Sequence, residues 1–211
     1  GVVRQPKKGP KTWAMTTTGC LSLIGMNAHG CAVGTTNVRT PDARPGVMYL
    51  SIIHRALQCE DAMGAKTLIE GTHRSGAHFY WVVDSKGAAL GIECTATLAD
   101  THRLMAGHYV HCNHSLVPTH QAKEPRPPSA SSLARTERLN QLIEEGAPHH
   151  TVDSLKDAMA DEFGGLNAIC RRDTLGISTN GAVIVEPESR RLHMVHGLPS
   201  EPRQGWVSLG A

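Results

Sequence analysis

Apolar and polar positions along the chain predict strands, helices, strands, helices and strands again. Lys11 to Gly19 (KTWAMTTTG) is rich in β-branched and aromatic residues and stops at a glycine, the pattern of a strand entering a turn. Cys31 to Asn37 (CAVGTTN) reads as its hairpin partner, reached through Gly25 to Gly30, where two glycines flanking Asn27 supply backbone freedom. Pro41 to Pro45 breaks the pattern. Val47 to Cys59 then sets Tyr49, Ile52, Ile53, Ala56 and Leu57 on one helical face, and Cys59 to Ile69 reads as a second helix closed by Gly71.

Ala77 to Asp84 and Ala88 to Thr95 form the clearest hairpin, joined by Ser85-Lys86-Gly87. A strand is expected at Gly107 to Cys112, followed by an exposed loop from Leu116 to Ala130 that contains Pro125, Pro127 and Pro128. A helix capped by Ser131 or Ser132 runs to Gly146, and Thr151 to Phe163 repeats the helical pattern. Gly181 to Glu186, Arg191 to His196 and Trp206 to Leu209 complete the strands. Consecutive hairpins with helices in separate blocks favour antiparallel sheets covered by helices, an α+β fold, in one domain over residues 1–211.

Composition narrows the function. Twenty-one Lys and Arg against nineteen Asp and Glu leave a charge of +2, too little for a surface that tracks nucleic-acid phosphates. No apolar run approaches the roughly 18 residues that span a bilayer, so a soluble, cytoplasmic chain with neither nucleic-acid nor membrane partner is expected. The six cysteines form no Cys-x-x-Cys pair and read as reduced thiols. Thirteen histidines raise the question of a metal. On a strand, however, His108, Cys112 and His114 would face one way and His111 the other, and the spacing fits no common zinc ribbon. No metal or cofactor is therefore expected.

Candidate chemistry is sparse. Gly25 to Gly30 lacks the Lys and Ser/Thr of a phosphate-cradling loop, and no Ser/His/Asp order stands out. Cys31, Cys94 and Cys112 sit among strand formers rather than in the electropositive setting of a reactive thiol. Asn113 closes an expected strand in Tyr109-Val110-His111-Cys112-Asn113-His114. Its amide is either a turn residue or a fixed donor able to stabilise an oxyanion in acyl transfer.

Several segments taken in order carry a resemblance: Gly25-Met26-Asn27-Ala28-His29-Gly30-Cys31-Ala32-Val33, Gly91-Ile92-Glu93-Cys94, His111-Cys112-Asn113-His114, Ser132-Leu133-Ala134-Arg135-Thr136-Glu137-Arg138-Leu139, Ile169-Cys170-Arg171 and Gly197-Leu198-Pro199. From Lys11 to Leu209 the chain resembles the isopenicillin N acyltransferase-like (acyl-CoA:6-aminopenicillanic acid acyltransferase) peptidases of the N-terminal nucleophile hydrolase superfamily. The resemblance implies a four-layer αββα sandwich of two antiparallel sheets, here incomplete at its N-terminal edge. It also implies a precursor that cuts itself before a cysteine, whose thiol becomes the nucleophile and whose α-amine, with a pKa of roughly 7.7 to 8.0, becomes the base.

Residues Gly1 to Gly19 resemble the strand some tens of residues beyond that cysteine, and Cys20 falls at a turn. The nucleophile and the acidic residue after it are therefore expected from a preceding processed segment or a second chain, packed against the Lys11 to Gly19 strand. Asn113 matches the family's oxyanion asparagine. Arg171 is a candidate substrate-orienting or nucleophile-tuning cation, or else a surface arginine beside Arg172. Asn27 reads as a structural turn residue, and no chemical role is assigned to Glu93. The implied activity is hydrolysis or transfer of an acyl group from a small acylated amine through a thioester, with acyl-CoA among the open donors. The alternatives are a catalytically silent binding or scaffold subunit and a histidine-rich metal protein.

Overall fold

The computed structural model describes residues 1–173 and 176–210. β1 (Val2–Arg4), β2 (Thr12–Met15), β3 (Ile24–Asn27), β4 (Ala32–Asn37), β5 (His78–Val83), β6 (Ala89–Cys94) and β7 (Ala99–Arg103) follow one another in space as in sequence, giving a seven-stranded antiparallel sheet. α1 (Tyr49–Ala56) and α2 (Ala62–Gly71) intervene between β4 and β5. After β7 come α3 (Pro118–Gln121), α4 (Ala130–Gly146) and α5 (Val152–Met159), then a three-stranded antiparallel sheet of β8 (Gly181–Glu186), β9 (Arg191–His196) and β10 (Val207–Gly210) in the order β10-β9-β8.

Strand alternation creates two cores. One face of the large sheet sends Cys31, Val33, Tyr80, Val82, Leu90, Ile92 and Cys94 against Ile52, Ile53, Leu57, Ala65 and Ile69 of the helical layer. The opposite face packs Trp13, Met26 and Ala32 on Leu192 and Met194 of the small sheet. α5 packs on β8, so the layers run helix, sheet, sheet, helix. Space between the sheets is tight. A Cβ built on Gly34 would lie 2.1 Å from the Trp81 ring, so only glycine fits opposite that indole.

The β5–β6 hairpin shows how short-range chemistry fixes the layers. Asp84 Oδ1 accepts from the Lys86 and Ala88 N–H groups at 2.9 and 3.1 Å, and Gly87 takes φ +87°. The other oxygen, Asp84 Oδ2, accepts from the Ala62 N–H at 2.9 Å. One carboxylate thus closes the turn and ties down the start of α2, whose cap Asp61 accepts from the Gly64 N–H at 3.0 Å.

Several expectations are corrected. Lys11 to Gly19 and Cys31 to Asn37 are not hairpin partners, because β3 lies between them and pairs Gly25 with Ala14 and Val33. The glycines there mark close backbone approach: a Cβ on Gly25 would lie 2.6 Å from the Trp13 carbonyl oxygen. β2 is consequently an interior strand, paired on its other side with β1, and Thr12, Trp13 and Ala14 are buried. Both edges of β2 are thus taken, and the rest of the 11–19 segment, Met15 to Thr18, lines a cleft. The expected strand at 107–112 is irregular, and the sheet edge is instead β7, whose polar sequence ADTHR carries no apolar alternation. Within the proline-rich segment α3 forms and buries His120. α4 begins at Ala130, with Ser129 as its cap, which frees Ser132 for another task.

Because α3 anchors the start of the 116–130 segment, its longest continuous exposed stretch is 125–130. Limited proteolysis is expected to cut first between Ala122 and Ser129. A first cut inside α1 or α2 would refute this assignment.

Candidate functional site

The end of β4, Asn113, the 124–129 stretch, the first turn of α4 and the residues around Arg171 and Thr179 enclose a cleft of about 680 Å³. Asn113 and Arg171, which lie far apart in sequence, both line it. A larger cleft of about 900 Å³ between the ends of the two sheets includes neither.

Asn113 is held at three points. Its backbone N–H donates to Ser132 Oγ at 2.7 Å, its Nδ2 donates to the Asn37 carbonyl at 3.0 Å, and its Oδ1 accepts from Arg135 Nη2 at 2.8 Å. A guanidinium can only donate and a carbonyl can only accept, so these partners define which end of the carboxamide is oxygen and which is nitrogen. One Nδ2 hydrogen is committed to Asn37, and among the described residues the second has no partner. Ser132, fully buried, also lies 2.8 Å from His114 Nδ1. Arg135 is steadied from within its own helix by the Ser131 carbonyl, which accepts from Nε at 3.1 Å.

Arg171 and Arg172 differ in kind. Arg172 is a surface cation shared between Glu162 and Glu201, each at 2.9 Å, and those hydrogen bonds raise its pKa further. Arg171 turns to the cleft. Its Nη2 donates to Asp173 at 2.7 Å, and its N–H donates to Thr179 Oγ at 2.9 Å. Its buried Nε has no hydrogen-bond partner among the described residues. Arg39, Arg126 and Arg135 line the same cleft, with Glu124 the one carboxylate among the described residues.

Behind Asn113 lies a buried polar cluster. The β5–β6 register sets Glu93 opposite Phe79, on the face away from α1 and α2, and the Glu93 side chain is 2% exposed. Oε2 accepts from the Leu116 N–H at 2.8 Å, while Oε1 takes a longer bond of 3.4 Å from the Val117 N–H. His111 Nε2 lies 3.3 Å from Oε2, and its Nδ1 is 2.9 Å from Thr36 Oγ and 2.8 Å from the Cys112 carbonyl. Its ring stacks on Phe79 with centroids 3.8 Å apart. His120 Nδ1 approaches Oε1 at 3.2 Å, an ion-pair contact without hydrogen-bond alignment. The carboxylate thus fastens both flanks of the segment that carries Asn113. Burial alone would raise its pKa, but the His111 contact, the Leu116 N–H and the two imidazoles outweigh it and hold the carboxyl below its ordinary value.

The other histidines and the cysteines are dispersed. His108 reaches Asn140 and His114 reaches Ser132, and no group of three or more His, Cys, Asp or Glu able to hold a metal exists among the described residues. Burial pushes the Cys31 and Cys94 thiols up to about 12. Cys112 and Cys170 are buried, and among the described residues no cysteine lines the Asn113 cleft. Cys20 lies at a turn, its N–H donating to the Thr17 carbonyl at 3.0 Å. Asn27 is a structural clamp: Oδ1 accepts from the His29 and Cys31 N–H groups, and Nδ2 donates to the Leu57 and Cys59 carbonyls.

Arg135 and Glu93 are contributors that sequence reasoning left without a role, and Ser132, expected as a helix cap, instead accepts from the Asn113 N–H. Ser132 and Arg135 lie at i and i+3 on one helix, on the face that meets Asn113, but nothing local marks that face. No helix among the described residues is long and apolar enough to cross a membrane.

Known structures share this architecture. Penicillin V acylase from Agrobacterium tumefaciens superposes with a TM-score of 0.68 at 10% identity, over 95% of this chain and 69% of that one. A variant of conjugated bile acid hydrolase from Clostridium perfringens gives 0.65 at 11% identity, over 95% and 77%. At such identities the likeness shows the fold alone, two antiparallel sheets between helical layers. No curated protein sequence matches the chain. A family model does, from residue 4 to residue 200, nearly end to end. The chain belongs to the acyl-coenzyme A:6-aminopenicillanic acid acyl-transferase family.

Proposed function

We propose that this chain forms the body of a thiol-dependent amide hydrolase or acyltransferase acting on a small acylated amine, with the nucleophilic cysteine supplied by an upstream processed segment or a second chain. The observation that carries the reading is the unpartnered Nδ2–H of a carboxamide pinned by Asn37, Arg135 and Ser132 at the wall of a cleft. In the proposed reaction the cysteine sulfur bonds to the amide carbonyl carbon while the thiol proton passes to the cysteine's own α-amine. Negative charge collects on the carbonyl oxygen, where Asn113 donates. The C–N bond then breaks, the amine leaves with the proton, and the thioester passes its acyl group to water or to a second amine. Arg171, which lines the same cleft, orients the substrate. Family membership supports the reaction class, and the absence of any cysteine at the cleft among the described residues supports an external nucleophile.

Residues 1–211 expressed alone are expected to show no amidase turnover. Protein produced from the natural gene with its upstream sequence is expected to be active and to yield a chain beginning with cysteine on N-terminal sequencing. Turnover by residues 1–211 alone, lost on Cys20→Ala, would place the nucleophile within this chain. If the natural gene encodes no upstream cysteine, the catalytically silent binding subunit becomes the better reading.

A further inference from the structure

The chain as a whole carries a charge of only +2, yet Arg39, Arg126, Arg135 and Arg171 line one cleft with Glu124 the only carboxylate in its wall among the described residues. That imbalance is local. Glu124 is already engaged, accepting from the Ser115 N–H. Arg135 and Arg171 each spend one guanidinium nitrogen toward Asn113 or Asp173. Arg39 and Arg126 have no side-chain partner among the described residues, and the buried Arg171 Nε has none either. Guanidinium groups present donors in a planar fork that matches carboxylate and phosphate oxygens, so several gathered in one concavity select for a ligand with more than one negative charge. The first turn of the 17-residue α4 opens on the same cleft through Ser129 and Ser131, which adds the positive end of a helix to the guanidinium field.

We propose that this cleft binds a dianionic oxygen group, a phosphate ester or a pair of carboxylates, and that the substrate is an acylated amine bearing such a group. The assignment of the ligand as substrate rests on the amide-cleaving reading above, whereas the anion site itself does not. Asn113 lies in the wall of the cleft, so a ligand anchored by Arg39 and Arg126 is held within the same enclosure as the oxyanion donor.

Isothermal titration of the full chain with inorganic phosphate, succinate and acetate at constant ionic strength tests this without any turnover. Phosphate or succinate is expected to bind at least about tenfold more tightly than acetate, and Arg39→Gln and Arg126→Gln are each expected to weaken that binding about tenfold, the loss of one charged hydrogen bond. Both side chains are exposed, so melting temperatures should be unchanged. A preference for phosphate identifies the phosphate ester, and a preference for succinate the dicarboxylate. Equal binding of acetate, no binding of any of the three, or dianion binding indifferent to both substitutions would overturn the proposal. Because Asn113 is tested by turnover and this site by titration, failure of one leaves the other measurable.

Discussion

Asn113→Ala in the complete enzyme is expected to lower kcat by about 10² to 10³ while shifting the melting temperature little. A donor aimed at the carbonyl oxygen acts chiefly once negative charge has formed there, so its loss falls on the transition state rather than on substrate binding, at roughly 3 to 4 kcal/mol. The structural cost is small by comparison. Asn113 is exposed, and removing its carboxamide frees the Asn37 carbonyl and one Arg135 nitrogen to water rather than leaving them buried and unpaired. Its backbone bond to Ser132 survives the substitution. Arg135→Gln is a useful companion, because it releases Oδ1 and lets the carboxamide rotate. It should lower kcat by less than Asn113→Ala and leave KM for an uncharged amide nearly unchanged. An Asn113→Ala enzyme that melts much earlier but turns over at the parental rate would return this residue to a purely structural role.

What the sequence discloses here is set by the distance over which each residue acts. The β5–β6 hairpin is legible because Asp84, Lys86, Gly87 and Ala88 make their decisive bonds within four positions of one another. β3 is hidden because Gly25 and Asn27 resemble loop residues, although one is there for close strand approach and the other to clamp α1's exit. β7 is hidden because a polar edge strand has no apolar face to betray it. Asn113 is singled out by the family resemblance, and in space it lies at the wall of a cleft. Arg171 becomes distinguishable from Arg172 only when the acidic partners of each are seen in space. Glu93 could not be valued at all from its strand, since its partners at 111, 116, 117 and 120 arrive from a segment with no regular structure until α3.

That segment makes Glu93 the residue whose loss should cost the fold most. Glu93→Ala strips the Leu116 N–H, the Val117 N–H and His111 of their acceptor at a site from which water is excluded, and removing one member of a buried charged cluster typically costs about 3 to 5 kcal/mol. Glu93→Gln keeps the shape and one acceptor oxygen. Its amide group now presents N–H where an N–H was received, so about 1 to 3 kcal/mol should be lost. The pH dependence separates charge from shape. Glu93 has a folded-state pKa below its ordinary 4.5, so its contribution is complete above that pH and is lost as pH falls through the folded value. Wild-type unfolding free energy should therefore decline with acid below about pH 4.5, and Glu93→Gln should show a shallower decline from a lower plateau. Asp42, also depressed although burial opposes it, through bonds from Thr40, Thr97, Thr95 and the Ala96 N–H, contributes to the remaining slope together with other depressed carboxylates such as Glu70. Denaturant titrations at pH 7 and at several values below 4.5 measure both effects. Parallel acid limbs for the two proteins would mean that Glu93 is not the anionic anchor of the Asn113 segment, whatever the stability lost at neutral pH.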